Sequence, residues 1–172
     1  MIVVDTSVIL AYMNSADDHH GTVCDWLQDE DDDLVTTPLI VAEVDYLVAA
    51  RGGRAAASAF RADLVAGAYV VQWWPGAINT AVAVAQRYAD LGLGLADASL
   101  VALAERSNTV AIATLDARHF RAVPPSGCCR LTVESRRTSL CGARRFVDHG
   151  SVRSAMSCRS SGRPAARFIA MR

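Results

Sequence analysis

Lysine is absent from the 172-residue chain, so all 17 of its basic residues are arginine. That absence argues against P-loop nucleotide binding, whose phosphate contact is a lysine, and against Schiff-base chemistry. No apolar run approaches the ~18 residues that a membrane span needs, so no membrane partner is expected. No basic n-region or small-residue cleavage site precedes Ile2-Val3-Val4-Asp5, so no secretory signal is read. The five cysteines form no CxxC pair, and Cys128 and Cys129 are adjacent. Free thiols in a cytoplasmic protein are the plain expectation.

The 52% apolar content is enough for a real core, and the length suits one domain with material left over. The net charge of −1 conceals an asymmetry. Residues 1–134 hold 8 Arg against 17 Asp plus Glu, a balance of −9, whereas residues 135–172 hold 9 Arg against Asp148 alone, a balance of +8. The division expected is a folded unit over 1–133 and an Arg/Ser-rich low-complexity tail over 134–172, which its composition predicts to be disordered. Such a tail can bind RNA by counterion release, but a fortuitous extension is the preferred reading.

Over the first 123 residues strand-like and helix-like segments alternate, the pattern of an α/β fold with a mainly parallel central sheet between helical layers. Ile2 to Asp5, Leu34 to Thr36, Tyr69 to Trp73 and Thr109 to Thr114 read as strands, with Leu131-Thr132-Val133 as a final edge strand. Helices are expected from Ser7 to Met13, Asp18 to Glu30, Pro38 to Arg51, Arg54 to Ala66, Pro75 to Leu91 and Ala96 to Arg106, with one turn at Asp116 to Phe120. Thr37-Pro38 supplies an N-cap and first-turn proline, and Gly52-Gly53 a stop.

Four acids stand where apolar elements run out: Asp5 after Ile2-Val3-Val4, Glu43 within Leu39 to Val44, Asp97 after Leu93-Gly94-Leu95-Ala96, and Asp116 after Val110 to Leu115. Carboxylates at the carboxyl ends of parallel strands face the crevice where such sheets bind ligands. A cluster of them needs a positive partner, and a divalent cation is the first choice. Taken singly each has a competitor. Asp5 is equally suited to cap the helix that follows it, and Asp97 and Asp116 also stand at helix starts. Glu43 taken alone is best read as a boundary glutamate, but it caps nothing. Thr6 and Ser7 beside Asp5, and Thr114 two residues before Asp116, offer hydroxyls to the same site.

The segments Ile2-Val3-Val4-Asp5-Thr6-Ser7, Val41-Ala42-Glu43-Val44-Asp45-Tyr46-Leu47, Leu95-Ala96-Asp97-Ala98 and Ala113-Thr114-Leu115-Asp116-Ala117-Arg118-His119-Phe120 resemble, in this order, the PIN domain, and within it the VapC-type ribonuclease toxins of bacterial toxin–antitoxin pairs. The resemblance covers about residues 1–133. It implies Asp5, Glu43, Asp97 and Asp116 as the catalytic acids and Thr6, Ser7 and Thr114 as supporting hydroxyls. Four carboxylates suit Mg²⁺ or Mn²⁺, expected to be held by Asp5, Asp97 and Asp116, directly or through water, with Glu43 orienting or deprotonating the attacking water or helping to hold a second ion. The activity implied is an endoribonuclease that leaves a 5′-phosphate and a 3′-hydroxyl, inhibits translation by cutting tRNA or rRNA, pairs as a homodimer and binds a VapB-like antitoxin. The chain departs from the family pattern after Phe120, where Cys128-Cys129-Arg130-Leu131 leads into the tail.

Arg87, Arg118 and Arg121 are the basic residues expected near the RNA groove, Arg118 foremost. Leu47, Val48, Phe60 and Leu64 are the apolar set that would form a docking groove if exposed. Asp45 is expected to be solvated, and the adjacent His19 and His20 make a poor metal pair. Haloacid-dehalogenase phosphotransferases and response-regulator receivers also begin with a strand and an acid. The first needs a second Asp where this chain has Ser7, and both use a lysine. The remaining alternative is a catalytically silent PIN-like module that binds RNA or protein.

Overall fold

The computed structural model describes residues 1–109, 111–116 and 120, together with the backbone of Leu131 and Thr132. In chain order the elements are β1 (Ile2–Val4), α1 (Thr6–Met13), α2 (His20–Gln28), β2 (Leu34–Thr36), α3 (Pro38–Val65), β3 (Val70–Val71), α4 (Ala77–Arg87), a 3₁₀ turn (Ala89–Leu91), α5 (Leu95–Arg106), β4 (Ile112–Thr114) and β5 (Leu131–Thr132). The strands form one sheet in the order β3-β2-β1-β4-β5, and every pairing is parallel.

All three residues of β1, of β2 and of β4 are buried. Successive strand residues point to opposite faces, so burial of three in a row means both faces are covered. That is the expected α/β/α layering. The strand order also locates the functional edge. From β1 the chain builds outward through β2 and β3 on one side and through β4 and β5 on the other. The crevice between the carboxyl ends of β1 and β4 is therefore the topological switch point, where open α/β sheets receive ligands.

Helix α3 starts as the sequence predicts. Thr37 is extended, accepts a hydrogen bond on its hydroxyl from the Ile40 amide, and hands over to Pro38 at the first helical position. Gly53 then takes φ 73° and ψ −168°, a conformation only glycine adopts readily, so α3 is two limbs joined at a break. Arg61 on the second limb donates twice to Asp45 on the first, at 2.7 and 2.8 Å. Asp45, expected to be free in solvent, is therefore paired, and the arginine holds its carboxyl below the usual range. Val44, Val48, Ala56, Ala57 and Phe60 are buried. The expected docking groove fails here: Val48 and Phe60 are fully buried core residues, because the two limbs close on each other. The exposed large apolar residues lie elsewhere, among them Tyr46, Val65, Val70, Val71 and Trp73.

Other boundaries shift for local reasons. α2 begins at His20 rather than Asp18, because the Asp17 carboxylate accepts from the His19 amide and holds the preceding residues in a turn. α4 begins at Ala77 rather than Pro75, because Gly76 is left-handed with φ 82°. The expected turn from Asp116 to Phe120 falls mostly, and Arg118, Arg121, Val133 and the 134–172 tail fall entirely, outside the described residues.

Candidate active site

Asp5 immediately follows β1 and is the N-cap residue of α1, yet its side chain makes no capping bond. Its Oδ2 instead accepts from Ser7 Oγ at 2.6 Å and from Thr114 Oγ1 at 2.8 Å. The two uses that the sequence left evenly balanced are thus separated: Asp5 belongs to a polar network across the switch point, not to the helix terminus. Each hydroxyl is held from behind by an amide. Ser7 Oγ accepts from the Leu115 amide at 3.0 Å, and Thr114 Oγ1 accepts from the Asp116 amide at 3.0 Å. With their oxygens occupied by N–H donors, both hydroxyls direct their protons into the carboxylate. The carboxylate is thereby wired to the turn that carries Asp116. Asp5 is only 5% exposed, and both hydroxyls reach the same oxygen, which leaves Oδ1 to another partner.

Glu43 sits near the start of α3, on its exposed side, and its Oε2 accepts from Thr6 Oγ1 at 2.6 Å. Thr6 adjoins Asp5, so the supporting hydroxyls serve two acids on separate elements. Asp97 lies in the first turn of α5 after Gly94, the N-cap, and is partly buried. A Cβ added at Gly94 would stand 3.8 Å from Asp97 Oδ2, so this turn is open beside the carboxylate. Asp116 follows β4 and is also partly buried. The structure therefore joins Asp5, Ser7, Thr114 and the Asp116 backbone in one network and Thr6 with Glu43 in another, all about the ends of β1 and β4.

Among the described residues neither Asp5 nor Glu43 has a cationic partner; ion pairs elsewhere include Met1 with Asp32, His19 with Asp17, Arg61 with Asp45, and Arg87 with Glu105. Arg87 was expected near the groove, but its guanidinium reaches Glu105 at 3.3 Å. Glu105 lies eight residues beyond Asp97 on α5, about 12 Å along the helix axis, so Arg87 is engaged at the far end. His20 Nδ1 pairs with the Ala11 carbonyl and its ring meets Cys24, away from the acids. Burial raises the phenols of Tyr12 and Tyr69 and the carboxyl of Asp63, also outside this site.

One pair escaped the sequence reading. Thr37 and Ser99, both buried, meet oxygen to oxygen at 2.7 Å. Ser99 is the one hydroxyl in the buried run Ala98 to Ala104 of α5, which was the available signal.

The PIN domain family model matches residues 2–124. Over 133 residues the chain is 41% identical to Ribonuclease VapC26 of Mycobacterium tuberculosis, covering 77% of this chain and 98% of that protein. The chain is a PIN domain protein of the VapC ribonuclease type. The PIN fold is shared with the crystal structure of Mycobacterium tuberculosis VapC20, described as a sarcin-ricin loop cleaving toxin, at TM-score 0.61 and 23% identity over 65% of this chain and 87% of that one. It is also shared with a toxin–antitoxin complex from Klebsiella pneumoniae, at TM-score 0.57 and 16% identity over 77% of this chain and 98% of that one. Among the described residues of this PIN chain no helix is long and apolar enough to cross a membrane.

Proposed function

We propose that this chain is a divalent-metal-dependent endoribonuclease, the toxin of a toxin–antitoxin pair, which stops translation by cutting tRNA or rRNA. The observation that carries the reading is the use of Asp5. A buried carboxylate at the switch point, fed by two hydroxyls and without a cationic side chain beside it among the described residues, is suited to receive a cation. The donor set is all oxygen, which suits Mg²⁺ or Mn²⁺. Among the described residues no three His, Cys, Asp or Glu stand together as a group that could hold a metal ion. Mg²⁺ is usually held through one or two carboxylates and retains waters. Asp5 with Asp97 and Asp116 would hold the ion, directly or through water.

When bound, the ion supplies neutralisation of phosphate charge and a lowered pKa for water. The residues do the rest. Ser7 and Thr114 fix the rotamer of Asp5, and Thr6 fixes Glu43, whose other oxygen would orient and deprotonate a water. That water's oxygen bonds to phosphorus as the P–O3′ bond breaks. The departing O3′ takes a proton, leaving a 5′-phosphate and a 3′-hydroxyl. Arg118 is the residue assigned to hold the RNA backbone. A VapB-like antitoxin and a second copy of the chain are the protein partners proposed, in keeping with the Klebsiella neighbour, itself a toxin–antitoxin complex, and the protein is assigned to the cytoplasm.

The test is cleavage of pooled tRNA and rRNA fragments by purified protein with Mn²⁺ or Mg²⁺, with EDTA, and with Asp5→Asn and Asp97→Asn. Discrete cuts are expected that disappear with the chelator and in both variants while circular dichroism is unchanged. Full activity in folded Asp5→Asn would refute the assignment. A folded wild type that binds metal but cuts nothing would favour the silent binding module.

A further inference from the structure

Two helices bring acids to the site from distant parts of the sequence, α3 with Glu43 and α5 with Asp97, and a buried side-chain hydrogen bond joins the N-cap of α3 to the second turn of α5. Thr37, the N-cap of α3, is wholly buried and Ser99 on α5 is 1% exposed. Ser99 Oγ lies 2.6 Å from the Ala96 carbonyl, an acceptor that takes the only hydroxyl proton Ser99 has. The proton between Thr37 Oγ1 and Ser99 Oγ therefore comes from Thr37. Thr37 Oγ1 in turn accepts the Ile40 amide. The result is a one-way relay from the Ile40 N–H through Thr37 and Ser99 to the Ala96 carbonyl. That carbonyl belongs to the peptide whose nitrogen is Asp97's.

Capping α3 requires only the Thr37 oxygen as acceptor. Nothing about capping requires the hydroxyl proton to reach a second helix. Nor does the packing of α5 call for a hydroxyl at 99, since its buried neighbours from Ala98 to Ala104 are all apolar. A polar group in such a setting is costly unless it is bonded, and here the Ser99 proton goes to the carbonyl of the peptide that carries Asp97. Outer partners of this kind fix the orientation of ligating side chains.

We propose that Thr37 and Ser99 are positioning residues, whose buried hydroxyl relay locks the peptide bearing Asp97 to the N-cap of the helix bearing Glu43 and so sets Asp97 for a divalent cation and Glu43 for the attacking water. The proposal rests on the ribonuclease reading above.

The measurement is Mn²⁺ titration followed by the electron paramagnetic resonance signal of the free ion, with kcat and KM on the RNA fragment the wild type cuts most strongly. Ser99→Ala is expected to remain folded by circular dichroism, to weaken Mn²⁺ binding and to lower kcat, each by about 10-fold, with KM unchanged. Thr37→Ser, which keeps the hydroxyl, is expected to match the wild type in both. If Ser99→Ala does not fold, Ser99→Cys, similar in size but a weaker hydrogen-bonding group, should show a smaller loss in the same direction. Wild-type Mn²⁺ binding and kcat in the folded serine variant, beside an active wild type, overturn the positioning role alone. A wild type that neither binds Mn²⁺ nor cuts RNA overturns the ribonuclease reading and this proposal together.

Discussion

Ser7 and Thr114 show how much a hydroxyl contributes when its oxygen is already occupied. Each is held by a backbone amide and so offers its proton to Asp5 Oδ2 with little freedom to turn away. A hydrogen bond to a charged group is worth about 1.5–3 kcal/mol, and outer partners of catalytic or metal-binding groups cost about 10–100-fold when removed. Ser7→Ala and Thr114→Val should each lower kcat within that range and, because each leaves a backbone amide without its acceptor, lower the melting temperature by a few degrees. The double variant should lose less than the product of the single losses, because both hydroxyls serve one carboxylate. Steady-state kinetics on the four proteins checks this; multiplicative losses would show that the two act separately. At this scale the sequence was informative about identity and weak about use. It placed Asp5, Ser7 and Thr114 together, but whether Asp5 capped a helix depended on which oxygen met which proton, and only the three-dimensional contacts decide that. Thr37 was legible as a cap and Ser99 not at all, since their meeting depends on residues 62 apart.

Among the elements, α3 carries the sharpest test of local conformation. Gly53 has open space where a Cβ would stand, so a substitution there meets no neighbour and is penalised by backbone alone. Its φ of 73° with ψ of −168° lies in a region that is nearly exclusive to glycine. Gly53→Ala should therefore destabilise by about 1–3 kcal/mol. Gly21, near the start of α2, also has open space and is not left-handed, so Gly21→Ala should stabilise by about 0.5–1 kcal/mol. Urea melts of the two variants give opposite shifts in midpoint if backbone conformation governs; shifts of equal sign would show that it does not. The Gly52-Gly53 pair announced this break in the sequence. The folding of the two limbs onto each other was not announced, and it turned Val48 and Phe60 from supposed surface into core. Periodicity tells which side of a helix is apolar but not what that side will meet.

For the whole molecule, the division at about residue 133 can be tested directly. The stretch shared with the ribonuclease relative spans 133 residues and 98% of that protein, so the arginine-rich remainder has no counterpart there. A chain ended after Glu134 keeps β5 and all four acids, and it should retain metal-dependent cleavage within about 3-fold, since the shared stretch alone spans nearly the whole of the ribonuclease relative. Its RNA binding should depend less steeply on salt if the nine tail arginines contact phosphate. Loss of cleavage in the shortened chain would show instead that the tail belongs to the enzyme. The α/β class was legible at this scale because alternation of strand and helix survives without any knowledge of contacts. The sheet order itself has a consequence in time. β1, made first, takes as one neighbour β4, through Val3 with Ile112 and Val4 with Ala113. Asp5 likewise waits for Thr114, 109 residues later. The ribosome must therefore finish most of the chain before its first acid can be set.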